Sequence, residues 1–138
     1  MTAVKVWAFL ALMTPVLAAA PASATMEQQS SNGTSYVSGG NGLDEAAEMQ
    51  KMRAQYPLRL QFAETGRGAY LAGVAVTIAD RQGRTVLDAV SDGPFLYANL
   101  PAGTYRLTAS SDGRPIVRSV TVPQSGFVDE RFYWPPKP

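Results

Sequence analysis

At 138 residues, with 12 Lys and Arg against 11 Asp and Glu, the chain has room for one domain and a net charge of only +1. It contains no cysteine and no histidine, which removes disulfides, thiol nucleophiles, Cys-ligated zinc, Ser-His-Asp triads and every His-based metal or acid–base arrangement. The near balance of charge also speaks against an electrostatic nucleic-acid binder.

Residues 1–24 have the layout of an export signal: Lys5 in a short basic region, an apolar stretch from Val6 to Leu17, and a small-residue end at Ala22-Ser23-Ala24. Cleavage is expected before Thr25. The apolar stretch is short, carries Pro15 and precedes a polar tract with no basic cluster, so no membrane insertion is expected after cleavage. The mature chain is therefore expected in the periplasm or outside the cell.

Apart from Glu27, residues 25–42 are Ser, Gln, Asn, Thr and Gly with Met26, Tyr36 and Val37 as the large apolar exceptions, too few to bury a core. A flexible arm is expected, ending in a Gly-rich hinge, with Tyr36 as the contact if it orders on a partner. Residues 43–56 follow as a helix over Leu43 to Gln55. Asp44 and Glu45 fall in its first turn, Lys51 and Arg53 near its end, and Pro57 forbids continuation. Met49, Met52 and Tyr56 recur at helical spacing, a stripe expected to pack on the rest of the domain, with Met49 and Met52 as candidate partner contacts.

From Leu58 the period changes to two. Leu58, Leu60 and Phe62 alternate with Arg59 and Gln61; Tyr70 to Ala79 continues as a second strand; Asp80 to Gly83 makes a turn into Arg84 to Val90. Phe95 to Tyr97 is a short strand, Thr104 to Ala109 a longer one, and Ile116 to Val122 follows the turn at Ser111 to Gly113, with Pro115 marking an edge. In the last strand, Phe127 to Trp134, one face carries Val128, Phe132 and Trp134 and the other Asp129, Arg131 and Tyr133. The Pro-rich tail at 135–138 leaves any sheet.

Within this series, Asp92-Gly93, Phe95, Leu100-Pro101, Gly103 and Tyr105 stand in an order that closely resembles the carboxypeptidase regulatory-like domain, a transthyretin-like accessory module. The resemblance spans about Leu71 to Val122; independently of it, Tyr105 alternates with Leu107 and Ala109 and is expected to enter the core with a solvated hydroxyl. Strand count and resemblance give one fold class: all-β, an immunoglobulin- or transthyretin-like sandwich of about seven strands over residues 58–134, with one short N-terminal helix.

Asp80, Asp88, Asp92 and Asp112 sit in or beside turns without the dense spacing of a calcium loop, and Glu48 is placed to pair with Lys51, so no metal, cofactor or catalytic residue is expected. The remaining candidates for partner contact are aromatic, with Tyr133 and Trp134 foremost beside Tyr36, Met49 and Met52. These readings converge on a non-catalytic exported binding or adaptor domain of the cell envelope, contacting another envelope protein through the arm or a sheet edge, or an extracellular glycan. The alternative is an assembly component of a surface structure that exchanges a strand. The transthyretin-like hydroxyisourate hydrolases share the implied fold, but they use histidines and end in Tyr-Arg-Gly-Ser, whereas this chain has no histidine and ends in Trp134 to Pro138.

Overall fold

The computed structural model describes residues 27–137. Among them run β1 (Gln29–Ser31), β2 (Thr34–Gly39), α1 (Gly42–Met52), a 3₁₀ turn (Arg53–Gln55), β3 (Leu58–Glu64), β4 (Ala75–Ala79), β5 (Thr85–Val90), β6 (Phe95–Ala98), β7 (Gly103–Ser111), β8 (Arg114–Val122) and β9 (Val128–Trp134). The strands form two sheets, β1-β2-β6-β3-β9 and β5-β4-β7-β8, with one core between them. The expected all-β sandwich with one short helix is thus formed. The export signal expected over residues 1–24 lies outside the described residues.

Alternation builds the core. Val76 and Ile78 of β4, Leu107 and Ala109 of β7, and Val120 and Val122 of β8 meet Leu58, Leu60, Phe62, Leu96, Phe132 and Trp134 of the other sheet. Phe62 lies 5.9 Å from Phe132 and 6.2 Å from Trp134 between ring centroids. Pro115 falls in β8, an edge strand, where the missing N–H is tolerated.

Two expectations are corrected. Residues 25–42 are not a flexible arm in their described part: β1 and β2 form a hairpin, and β2 joins the sheet beside β6, pairing Tyr36 with Ala98 and Gly39 with Phe95. Composition counts only what a segment buries alone. Here β6 supplies the ladder, Tyr36 enters the central core, Val37 packs on the opposite face, and the Ser38 hydroxyl donates to the Phe95 carbonyl at 2.9 Å. The turn has positive φ at both Asn32 (49°) and Gly33 (84°), the geometry a two-residue hairpin favours. The second correction is the strand expected over Tyr70 to Ala79, which begins only at Ala75. Positive φ at Gly73 breaks the run, and Tyr70 bridges Ala63 in the first sheet before the chain crosses to the second.

Side chains close both corners of the sandwich. The Ser31 hydroxyl donates to the Asp88 carbonyl (2.9 Å) and accepts from the Asp88 N–H (3.0 Å), tying β1 to β5. At the other corner Arg118 donates to the Arg131 carbonyl (2.6 Å) and pairs with Glu130 (3.1 Å), while the Trp134 indole donates to the Arg114 carbonyl (2.8 Å). Backbone groups that an edge would offer to another chain are partly used within this one.

Tyr105 is buried, and its hydroxyl donates to the Pro101 carbonyl at 2.7 Å instead of being left to water. Pro101 and Tyr105 therefore lock their corner together. Tyr105→Phe keeps the ring and loses the bond, and is expected to cost about 1 kcal/mol, read as a thermal midpoint lower by about 5 °C.

The Asp80 turn acts through a carboxylate. Its oxygens accept the Gln82 and Arg84 N–H groups, both at 2.9 Å, and the Arg84 guanidinium at 3.2 Å. The Arg84 N–H, then that of Gln82 and the charge of Arg84, hold the Asp80 carboxyl below its ordinary value. A depressed folded-state pKa stabilises above the unfolded value, about 3.9, and that contribution disappears as pH falls through the folded one. Asp80→Asn should therefore be less stable than the native chain near neutrality, and the gap between their melting temperatures should close below about pH 4. A gap unchanged into strong acid would contradict this role.

Candidate functional site

The outer face of the five-stranded sheet, turned away from the core, presents three rows in register. They are Val37-Tyr97-Arg59-Asp129, then Gly39-Phe95-Gln61-Arg131, then Tyr70-Ala63-Tyr133. The helix covers one end of these rows. Met49, Tyr56, Val37 and Tyr97 form a second apolar cluster beneath it, with Met52 and Phe95 partly buried at its margin. Lys51 pairs with Glu48 at 3.2 Å on the solvent side.

Between the end of the helix and β9 the face stays open as a groove of about 380 Å³. Gln50 and Arg53 line one wall, Asp129 and Arg131 the other, Arg59 and Gln61 the floor, and Tyr70, Phe95 and Tyr97 the aromatic end. Tyr70 and Phe95 rings are 5.7 Å apart, Phe95 and Tyr97 6.2 Å, so the three form a continuous wall.

Arg59 organises the floor. It is 8% exposed; its Nε donates to the carbonyls of Arg53 (3.1 Å) and Tyr56 (3.3 Å), fastening the end of the helical segment to β3. Its guanidinium lies 3.8 Å from the centroid of the Phe127 ring, and Arg59 lines both the groove and a second cavity of about 440 Å³ at Gln55, Pro57, Gly126 and Phe127. Burial pushes the Tyr97 hydroxyl above its usual range, Arg53 and Arg59 pull it down, and Asp129 raises it. Those three charges therefore all act at one point of the groove.

Ion pairs among the described residues are Lys51–Glu48, Arg84–Asp80, Arg118–Glu130 and Lys137–Asp112. None of them uses Arg53, Arg59 or Arg131. No group of three or more acidic side chains gathers among the described residues as a metal site would require.

Of the expected contact residues, Met49 is 0% and Trp134 2% exposed, and Tyr36 is buried as well, so these three are core and are corrected as surface candidates. Large rings and a thioether at alternating or helical spacing are what a core uses, and the partner strands decided the matter. Met52 is half-buried at the edge of the helix cluster. Tyr133, 44% exposed, lies on the outer face beside Ala63 and is the candidate that remains at the surface. Tyr70 and Tyr97 were among the aromatic candidates for ligand contact, but sequence reasoning missed Arg53 and Arg59 and did not bring the four together. The outward faces of β3 and β9 were legible from alternation, but not that these strands, about 70 residues apart in the chain, pair in parallel.

No family model matches the chain, and no curated protein matches it. Among solved structures, a 5-hydroxyisourate hydrolase from Klebsiella pneumoniae is similar at 20% identity and a TM-score of 0.46, covering 57% of this chain and 84% of that one. A likeness of that degree carries no activity across.

Proposed function

We propose that this chain is a non-catalytic exported binding domain of the cell envelope and that it takes its ligand in the groove on the outer sheet face. The observation that carries the reading is the groove itself: arginines without acidic partners among the described residues, set against an aromatic wall on a rigid sheet. The absence of histidine and cysteine from the whole sequence supports the non-catalytic part. The resemblance to the carboxypeptidase regulatory-like domain, on Asp92-Gly93, Phe95, Leu100-Pro101, Gly103 and Tyr105, supports an accessory role and belongs to the proposal.

Two considerations favoured an envelope protein as the partner: a flexible arm and the lack of an aromatic platform. The arm is sheet in its described part, and Tyr70, Phe95 and Tyr97 make a wall of rings. An extracellular glycan is therefore the preferred ligand. Strand exchange into a surface structure is disfavoured by the closed corners.

The test is retention on an array of extracellular saccharides by the native chain, by Tyr70→Ala and by Arg106→Gln, the last on the exposed face of the other sheet. Retention lost with Tyr70→Ala and kept with Arg106→Gln is expected. Capture of an envelope protein equally by all three, with no saccharide retained, would favour the adaptor instead.

A further inference from the structure

Resting on that reading of the groove, we propose that its ligand is an acidic saccharide, a sugar chain whose carboxylates are held by Arg53, Arg59 and Arg131 while a ring face lies against Tyr70.

Charge is the first ground. An arginine of which only 8% is exposed is normally matched by an acid, because taking a charge out of water is costly. Arg59 has no carboxylate within ion-pair reach among the described residues, although Asp129 occupies the neighbouring position of β9. Two carbonyls take its Nε and the Phe127 ring covers its guanidinium, and neither terminal nitrogen is buried without a partner, so both stay free to bond a ligand. Arg53 and Arg131 face the same space, and Glu130, also in the lining, is already engaged by Arg118. Asp129 alone is left against three arginines. Forked guanidinium groups suit carboxylates, and charge-assisted bonds in a shielded groove are the strong ones.

Shape is the second ground. The volume of about 380 Å³ is that of a small ligand, enough for one or two sugar units and far short of a protein interface. Tyr70 is 61% exposed yet braced by Phe95, so it offers a fixed ring with a polar tip. Gln50 and Gln61 supply amides that donate and accept, which suits hydroxyl groups. A neutral saccharide would leave the three cations unmatched. An acidic peptide such as oligoglutamate would match the arginines but has no ring face to lay against Tyr70.

The experiment is calorimetric titration of the full-length chain with digalacturonate, with neutral digalactose and with tetraglutamate, repeated on Arg53→Gln, Arg131→Gln and Arg106→Gln. Arg53 and Arg131 are exposed, so their variants should melt with the native chain. Digalacturonate is expected to bind at least about tenfold more tightly than either other probe. Each groove variant should weaken it about tenfold, Arg106→Gln should not, and affinity should fall as salt rises from about 50 mM to about 500 mM. Equal binding of digalactose would overturn acid selection while leaving the groove reading intact. Tighter binding of tetraglutamate would overturn the saccharide in favour of a peptide. No binding of any probe would overturn both this inference and the reading it rests on.

Discussion

A chain shortened to begin at Pro57 should not fold to a stable monomer. The cut removes β1, β2 and the helix, and with them the buried side chains of Tyr36, Val37, Met49 and Tyr56. It also strips β6 of one of its two partner strands from Phe95 to Ala98 and uncovers Tyr97. Four large buried side chains, at about 1.5–3 kcal/mol each, are worth about as much as the whole net stability of a domain, about 5–15 kcal/mol. Circular dichroism on heating should show no cooperative transition. A Pro57 chain that melts within a few degrees of the native one would show that the hairpin and helix are appendages after all.

Gly93→Ala should be the most damaging single substitution outside the large core side chains. Gly93 and Gly39 are both buried, and a β-carbon at 93 would fall on the Gly39 backbone carbonyl, where no flexible side chain can move aside. The substitution must push β2 away from the loop before β6, breaking the ladder between Gly39 and Phe95. Overpacking against backbone is expected to cost about 3 kcal/mol, a fall of about 10–20 °C in Tm. Recovery of native stability in Gly93→Ala would mean that the two backbones do not approach in this way.

That glycine also shows where the sequence could be read and where it could not. Asp92-Gly93 looks like ordinary turn chemistry, yet Gly93 has no positive φ; it is small because another glycine, over fifty positions earlier, packs on it. The sandwich, the helix and the inward faces of β3, β7 and β9 were legible because alternation is a local property. Tyr36, Met49 and Trp134 were misjudged as surface candidates because burial depends on a partner the local pattern does not name. The polar hairpin was read as an arm for the same reason: β6 supplies the hydrogen bonds that its composition cannot announce. The groove was least legible of all, since it needs β3 beside β9, Tyr70 bridged to Ala63 in the first sheet, and Arg53 delivered by the end of the helical segment. Only Arg131 and Tyr133, alternating outward near Asp129 on one strand, could be seen together beforehand.

The most direct test of the groove is to follow backbone amide resonances of the full-length chain during titration with digalacturonate. Shifts are expected to gather at Gln50 to Arg53, Arg59 to Gln61, Phe95 to Tyr97 and Asp129 to Tyr133, with the Thr77 and Thr108 face of the second sheet unmoved. Shifts confined to that second sheet, or spread evenly over the surface, would contradict the assignment of the binding site to the outer face of the first.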